Sequence, residues 1–305
     1  MEYVSTKERE VLEAMNSGKY KVANLEIINK ALNFEMTEKL YDHLEYTKEL
    51  FETYLNDISE LKDGFPGLEQ YLEVIKTADI IDNHKLEKEN SFLLGMFYHT
   101  DREKAVDRLI KYTNDDKKLD SNDLFSVHNL LLYGTSSEGE DLVRTTNEKF
   151  VGRVVNGERV IDYFPLHCDD VSEAGDRISQ LYNMDLENES FDNMFIKPFM
   201  IHGLFATLQM FNDGNTRMGR LMQHVLMWKL VNEQTEFSFD KPPIYATRSY
   251  YPFRGEYRSK IASLVIDNNN EAWEKWFAFN LNRIEDQIYM NNYNLVELKR
   301  RVKSR

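Results

Sequence analysis

Apolar residues recur with the period of an α-helix along most of the chain. The pattern is clearest in two segments near the middle, between Ile196 and Leu208 and between Met218 and Leu226, where apolar residues follow i, i+3, i+4 and i+7 spacing. The polar stretch Asn212–Asn215 separates the two segments and contains a glycine, so it cannot easily continue a helix. We therefore predict a helix–loop–helix unit at the centre of the chain.

The same periodicity predicts helices on both sides of this unit. The low content of glycine and proline, 13 and 6 residues, is typical of a mostly α-helical protein. We divide the chain into an N-terminal helical region, 1–115, and a core with C-terminal helices, 116–305. The predicted helical segments are 5–62 with breaks near 16–18 and 33–34, 68–83, two helices in 86–115, 121–132, about 171–184 and 272–298.

One segment departs from the helical pattern. Two β-branched pairs flank an Asn-Gly dipeptide, and such a dipeptide between β-branched residues is the strongest short-range signal for a hairpin with a two-residue turn. We therefore predict one β-hairpin in an otherwise helical chain, formed by Val154, Val155, Asn156, Gly157, Val160 and Ile161.

Composition argues against several classes of function. The 305 residues carry a formal net charge of −14, which makes the chain a poor candidate for wrapping nucleic acid. The single cysteine, Cys168, excludes an internal disulfide and a cysteine-rich zinc site. No window approaches about 18 consecutive apolar residues, so we expect no membrane span, and the first residues lack the apolar region of a secretory signal. These features favour a cytoplasmic protein and leave homo-oligomer formation open.

Candidate chemistry concentrates between Gln209 and Arg220, where the sequence reads Q-M-F-N-D-G-N-T-R-M-G-R. The loop leads into the start of a helix, where free backbone N–H groups and the positive end of the helix dipole suit an anion. Arg217 and Arg220 lie three residues apart near that start, shortly after Asp213. One acid, two arginines and a turn of exposed amides predict a phosphate and metal-ion site.

This stretch resembles the signature of the Fic (Fido) family, usually written H-x-F-x-[DE]-G-N-[GK]-R-x-x-R. Two positions depart from it, because Gln209 stands where histidine belongs and Thr216 stands where glycine or lysine is usual. The resemblance covers roughly residues 121–287 and, more weakly, 70–83. Six positions match the signature: Phe211, Asp213, Gly214, Asn215, Arg217 and Arg220.

The resemblance implies a fold and an activity. The fold is an all-α, Fic-like helical bundle with a short β-hairpin flap. Members of the family typically transfer AMP from ATP to a hydroxyl of a target protein, and the flap holds an extended segment of that target by strand addition. The implied reactants are therefore ATP with Mg²⁺ and a target protein that the sequence does not identify.

The resemblance also assigns roles within the loop. It places Mg²⁺ on Asp213, an oxygen ligand of the kind this cation prefers. It places the α- and β-phosphates on the Gly214–Arg217 stretch, which includes Asn215, the Thr216 amide and the Arg217 side chain, and the γ-phosphate on Arg220. By the same resemblance, some of five aromatic residues line an adenine pocket: Tyr245, Tyr250, Tyr251, Phe253 and Tyr257.

The departure at Gln209 concerns the general base. A glutamine amide can orient a hydroxyl but cannot take its proton, and loss of a general base typically costs about 10²–10⁴-fold in rate. His202 and His224 are each seven residues from a signature position, about 10.5 Å along a helix axis, so neither replaces the base. His128, in an L-H-x-x-L-like pattern common in the first helix of the family, is predicted to be a packing residue.

The helix predicted at 68–83 carries a second resemblance. Many Fic proteins have an inhibitory helix with the pattern [ST]-x-x-x-E-[GN], whose glutamate pairs with the second arginine of the signature. The nearest match here runs from Ala78 to Asp82 and Asn83, with aspartate in place of glutamate. The alternative is an ordinary polar helix end that Asn83 caps.

Three interpretations of the whole chain follow. The first is a transferase that Gln209 weakens or alters, or an active enzyme with an engineered substitution. The second is a non-catalytic nucleotide-binding regulatory module that kept the phosphate site. The third, a helical scaffold whose loop is only structural, is disfavoured by the six signature matches and the upstream hairpin.

Overall fold

Helices dominate the computed structural model, which describes residues 5–63, 67–87, 99–132, 143–184 and 194–303. The mostly α-helical prediction is therefore confirmed. The helices described are α1 (Thr6–Asn16), α2 (Glu26–Leu32), α3 (Glu38–Ser59), α4 (Leu68–Glu87), α5 (His99–Asn114), α6 (Ser121–Leu132), α7 (Val171–Asn183), α8 (Ile196–Leu208), α9 (Asn215–Gln234), α10 (Thr247–Tyr250), α11 (Arg254–Ile266) and α12 (Asn270–Lys303).

The predicted helix–loop–helix unit is α8 and α9, and it lies at the centre of the molecule. Every residue of α8 is buried, because α7, α9, α11 and α12 all pack against it. A helix that is apolar on all sides can be stable only when it is surrounded in this way. The loop between the two helices is consequently held by the surrounding elements as well as by its own sequence.

The predicted hairpin is also present. Strand β1 (Val151–Val155) pairs antiparallel with β2 (Glu158–Tyr163), with Val155 opposite Glu158. Asn156 and Gly157 have φ values of 53° and 85°, and a two-residue type I′ turn requires a positive φ at both positions. The prediction of a single short β element in a helical chain is thus confirmed for the residues described.

The N-terminal region shares its core with the rest of the chain. One cluster of buried apolar residues contains Phe51 and Leu72 from the first 115 residues together with Phe199 and Trp276 from the remainder. Polar contacts cross the same boundary: the Tyr54 hydroxyl donates to the Pro243 carbonyl at 2.7 Å. The predicted division at residue 115 is therefore not a division between two separate hydrophobic cores.

Two predicted helix ends differ from the structure. Helix α4 continues past residue 83 to Glu87, so Asn83 lies within a helix and does not end it. Helix α12 runs to Lys303. The basic residues after 298 are good helix formers, and their positive charges interact favourably with the negative, C-terminal end of the helix dipole. Helix α5 is the second of the two helices predicted in 86–115; the first falls mostly on residues 88–98, outside the described part. No described helix is long and apolar enough to cross a membrane.

Candidate functional site

The loop between α8 and α9 turns sharply at both ends. Gln209 ends α8 with a φ of 52°, and Gly214 precedes α9 with a φ of 77°. The side chain of Asn215 braces the turn, since its Oδ1 accepts from the Phe211 amide at 2.9 Å and its Nδ2 donates to the Phe211 carbonyl at 2.8 Å. The asparagine of the signature is therefore buried as a structural brace, with 3% of its surface exposed.

Both ends of the Gln209 side-chain amide are engaged within the protein. Its Nε2 donates to the Ala206 carbonyl at 2.7 Å, and its Oε1 accepts from Asn215 Nδ2 at 3.2 Å. The side chain nevertheless forms part of a pocket wall. An amide held in this way presents no basic atom to a reacting hydroxyl.

Asp213 and Arg217 form an ion pair. The Asp213 Oδ2 lies 2.7 Å from a terminal nitrogen of Arg217, and its Oδ1 accepts from the Gly214 amide at 2.6 Å. The Arg217 side chain is 3% exposed and that of Asp213 is 49% exposed. The candidate metal ligand and the first candidate phosphate ligand thus contact each other across the start of α9.

Asp213 nevertheless fits a magnesium ion. Mg²⁺ typically binds one or two carboxylates and completes its shell with water and phosphate oxygens. Asp213 supplies one such carboxylate, and about half of its side chain is exposed. In the described part of the chain, the cluster of metal-ligating atoms within 4.8 Å of one another lies elsewhere, at His167, Cys168 and Asp169. A cation at Asp213 would therefore depend on a bound phosphate for further ligands.

Arg220 lies in the interior. Its side chain is fully buried, and one terminal nitrogen donates to the Tyr257 hydroxyl at 3.3 Å. Its charge also acts on Asp79 of α4: burial raises the pKa of this carboxyl to about 6, and the Arg220 charge opposes part of that rise. Arg217 and Arg220 therefore share the first turns of α9, as the spacing predicts, but both side chains are turned into the protein.

A pocket of about 570 Å³ opens beside the loop, between the hairpin and α11. Of the loop residues predicted to act on nucleotide, Gln209 and Thr216 line it, and Tyr257 is the member of the predicted aromatic set that does so. The hairpin strands supply Gly152, Tyr163 and their neighbours. The wall has more basic than acidic residues, which favours an anion: it contains Arg153, Arg254 and Arg258 together with Asp162 and Asp267, and Arg153 pairs with Asp162 at 3.4 Å.

The histidines of the central pair are packing residues, as predicted. His202 contacts Gln223 through Nδ1 at 2.5 Å and the Tyr257 hydroxyl through Nε2 at 2.7 Å, and burial holds its pKa well below the usual range. His224 accepts from the Ala246 amide at 3.0 Å, and burial lowers its pKa to about 3. Neither ring lines the pocket, so neither replaces the missing base.

The structure also locates the candidate inhibitory helix. Asp82 of α4 is buried, and the side chain of Asn83 lies outside the described residues. One turn earlier, the Oδ1 of Asp79 accepts from the Thr247 amide at 3.1 Å, and its carboxylate is within electrostatic range of Arg220. Sequence reasoning missed Asp79, although two acids spaced i, i+3 on a partly apolar helix are a signal that could have found it.

Two further residues donate hydrogen bonds to backbone carbonyls of the loop, and the sequence predicted neither contact. His128 was predicted to pack, and it does, but it also donates from Nε2 to the Asp213 carbonyl at 2.7 Å. Arg144 was not predicted at all, and its Nε donates to the Gln209 carbonyl at 3.0 Å. No local pattern indicates such contacts, because each joins residues more than sixty positions apart.

Comparisons with known proteins bear on the fold. Residues 118–227 match the model of the Fic/DOC family. Among solved structures, a Fic family protein from Desulfovibrio desulfuricans G20 superimposes with a TM-score of 0.56 at 15% identity, covering 86% of this chain and 76% of that one. A Fic-1 fragment from C. elegans superimposes with a TM-score of 0.48 at 15% identity, covering 82% and 71%. No curated protein sequence matches the chain. The fold is therefore Fic-like.

Proposed function

From the match of residues 118–227 to the Fic/DOC family, we propose that this protein binds a nucleoside triphosphate with Mg²⁺ and transfers AMP to a protein hydroxyl only weakly, or not at all. The observation that carries the proposal is the state of Gln209. Its side chain lies at the pocket wall, where the family places a general base, and both of its polar atoms are bound to the protein.

The pocket supports nucleotide binding. Its volume of about 570 Å³ falls within the range of small-molecule sites, and Thr216 brings the start of α9 to its wall. The start of that 20-residue helix is also the positive end of its dipole, which suits a phosphate. Asp213 would hold the Mg²⁺, whose charge offsets that of the phosphates.

Binding also requires a rearrangement of the ion pair. Asp213 and Arg217 now form an ion pair at 2.7 Å. When phosphate and its cation bind, Arg217 would pair with the phosphate and Asp213 with the cation, so each charge would keep a partner of opposite sign. Arg220 is fully buried, so it acts on a γ-phosphate only if the interior near Tyr257 opens. The α- and β-phosphates are therefore the groups that the present arrangement serves best.

The target segment would bind along the hairpin. Val154 is 67% exposed, Val155 43% and Val160 39%, so apolar side chains face the solvent beside the pocket. The start of β1 lines the same pocket as Gln209, which places an added strand next to the reacting phosphate.

Helix α4 is proposed to restrain the site, as the resemblance to inhibitory helices implies. The buried pair Asp79 and Asp82 lies on the side of Arg220, and Asp79 acts on it electrostatically. Asp79 is therefore a candidate for the restraining carboxylate in addition to Asp82. In either case the carboxylate would restrain the site by pairing with Arg220, which would then not be available to bind a phosphate.

The decisive experiment compares this chain with Gln209→His in single-turnover labelling by ATP radiolabelled at the α-phosphate, with cell lysate as the source of targets. Histidine should raise AMP transfer by about 10²-fold or more, because it restores a base where a proton must leave. Gln209→Ala is the matched control, since it removes the amide without adding a base. Equal labelling by Gln209→His and Gln209→Ala would show that residue 209 does not limit transfer.

Calorimetry with ATP and Mg²⁺ tests binding separately. Arg217→Ala should weaken saturable binding by about tenfold, the loss of a charge-assisted hydrogen bond, while Gln209→His should leave the affinity nearly unchanged. The absence of binding at millimolar nucleotide would overturn the proposal.

A regulatory module without catalysis is the second candidate. The observation that favours it is the hydrogen bond from Asn215 to Gln209, which ties the residue at the base position into the loop structure itself. If the parent chain and Gln209→His both bind ATP but neither labels any target, this second function is the better supported one.

A further inference from the structure

The loop from Gln209 to Gly214 has backbone in the left-handed region at both ends, and contacts from outside the loop help to hold it. Gln209 has a φ of 52°, in the left-handed region that a side chain with a Cβ disfavours. Gly214 follows five residues later with a φ of 77°. A carbonyl at each end of the loop accepts a hydrogen bond from a buried side chain outside the signature.

His128 of α6 holds the far end. Its Nε2 donates to the Asp213 carbonyl at 2.7 Å, and its ring stacks on Phe211 with centroids 3.6 Å apart and an interplanar angle of 7°. Burial lowers the pKa of His128 to about 3, so the ring is neutral at physiological pH and its proton is on Nε2. The buried Nδ1 has no hydrogen-bond partner in the described part of the chain. The hydrogen bond of the His128 ring is therefore the one to the Asp213 carbonyl in the loop.

Arg144 holds the near end. Its Nε donates to the Gln209 carbonyl at 3.0 Å, a terminal nitrogen donates to the Leu166 carbonyl, and its own backbone amide donates to the Met210 carbonyl at 2.9 Å. The side chain is buried, and burial lowers its pKa to about 10, so it remains charged at neutral pH. Arg144 thus connects the start of the loop to the segment that follows the hairpin.

We propose that His128 and Arg144 are positioning residues of this site, which fix the two ends of the loop and thereby aim the Asp213 carboxylate and the residue at 209. Neither side chain lines the pocket, so each acts through the loop backbone. The loop geometry stands on the contacts alone, whereas its consequence for ligand binding rests on the proposed function.

The chain offers variants that separate this role from ordinary packing. His128→Phe keeps an aromatic ring against Phe211 and removes the donor, whereas His128→Gln restores an N–H near the position of Nε2. Phe125→Leu is the control, because Phe125 lies on the same helix and meets Phe211 edge-on at 5.7 Å without bonding the loop backbone. Arg144→Met keeps the apolar stem, and Arg144→Lys keeps the charge with a single donor group.

Amide hydrogen exchange of the peptide 209–218, in the protein without ligand, is the first measurement. His128→Phe and Arg144→Met should speed exchange in this peptide by about three- to tenfold, the equivalent of one hydrogen bond, while peptides elsewhere keep their rates. His128→Gln and Phe125→Leu should match the parent protein. If Arg144→Met does not fold, Arg144→Lys takes its place, with a smaller increase expected. Unchanged loop exchange in His128→Phe, or equal acceleration by Phe125→Leu, would overturn the proposal.

The affinity of the protein for Mn²⁺ in the presence of ATP is the second measurement. His128→Phe and Arg144→Met should weaken it by about three- to tenfold, and His128→Gln should restore it. If the parent protein binds no Mn²⁺ and ATP, the proposed function fails, but hydrogen exchange still decides whether the two residues hold the loop. If the parent binds and the variants bind equally well despite faster exchange, the positioning role is overturned.

Discussion

At the scale of single residues, Gln209 combines a left-handed backbone with a side-chain amide that is fully bound inside the loop. The amide bonds to Ala206 and Asn215 within the loop's own framework, so the left-handed backbone at this position persists. A histidine at the same position would offer a basic nitrogen, whereas the amide offers only a bound donor and acceptor. The consequence is kinetic, and labelling by Gln209→His measures it.

The ionisation of Asp79 makes the stability of the fold depend on pH between about 4 and 6. Burial raises its pKa from 3.8 to about 6, despite the opposing effects of the Thr247 amide and Arg220. Between these two pH values the folded protein binds a proton that the unfolded chain has lost, so the contribution of this group to stability falls as the pH rises. Above pH 6 the ionised carboxylate destabilises the protein.

Asp79→Asn should therefore change stability in a pH-dependent way. The variant keeps an oxygen acceptor for the Thr247 amide and cannot ionise, so its free energy of unfolding relative to the parent should rise by roughly 2 kcal/mol between pH 4 and pH 7. Urea unfolding of both proteins at several pH values measures this difference. His224, Arg220 and Asp82 surround the site in both proteins, so their own contributions to the pH dependence of stability largely cancel in the difference. A difference that stays constant with pH would contradict the assignment.

At the scale of elements, two turns with positive φ differ in their surroundings. Gly157 in the hairpin has a φ of 85° and open space around it, whereas at Gly214 a Cβ would lie 2.9 Å from Leu132 and 3.0 Å from the His128 ring. Gly157→Ala should cost about 1 kcal/mol of unfolding free energy, from backbone strain alone. Gly214→Ala should cost about 1–3 kcal/mol more, because the contacts add overpacking.

Thermal or urea unfolding of the two glycine variants provides the comparison. The pair is matched in φ, so the difference between them isolates the contact with Leu132 and His128. Equal costs would mean that the packing behind the loop yields easily, and they would weaken the case for a rigidly held site.

The hairpin leads to a prediction about partners. Val154 is 67% exposed and lies on a strand next to the pocket. Val154→Lys should change the free energy of unfolding by less than about 0.5 kcal/mol, as is usual for exposed positions. In a Gln209→His background it should reduce labelling of lysate proteins without changing ATP affinity. Val296→Lys is the control, because Val296 of α12 is similarly exposed. Unchanged labelling by Val154→Lys would argue against docking on the hairpin.

At the scale of the whole molecule, the shared core predicts one cooperative unit. Helices α3 and α12 pack along each other, and the Glu285 carboxylate accepts from the Thr47 hydroxyl at 2.6 Å across their interface. Removal of residues 1–115 would expose Phe277 of α12, which is buried and packs on Phe34 with ring centroids 4.8 Å apart. The fragment 116–305 should therefore lack a cooperative thermal transition, and the full chain should unfold in one step.

Differential scanning calorimetry distinguishes the two cases. Two separate transitions in the full chain, or a well-folded fragment 116–305, would show that the N-terminal region is an independent domain. The control is the full chain scanned at two rates, which tests whether the transition is at equilibrium.

The sequence by itself determined the local architecture of this protein. Helical periodicity located α8 and α9, and the Asn-Gly dipeptide located the hairpin, because both depend on interactions between residues a few positions apart. The loop signature likewise identified Asp213 and Gln209 as the residues to examine. The predicted roles of these residues in metal binding and proton transfer stay predictions.

Only the tertiary structure decided which side chains meet at the site. The sequence placed Arg217 and Arg220 on one helix, but the direction in which each points depends on α4 and α11, which bury Arg220 beside Asp79 and Tyr257. His128 and Arg144 bond the loop from 85 and 65 positions away in the chain. Contacts over such distances arise from packing of whole elements, and no local pattern of residues encodes them.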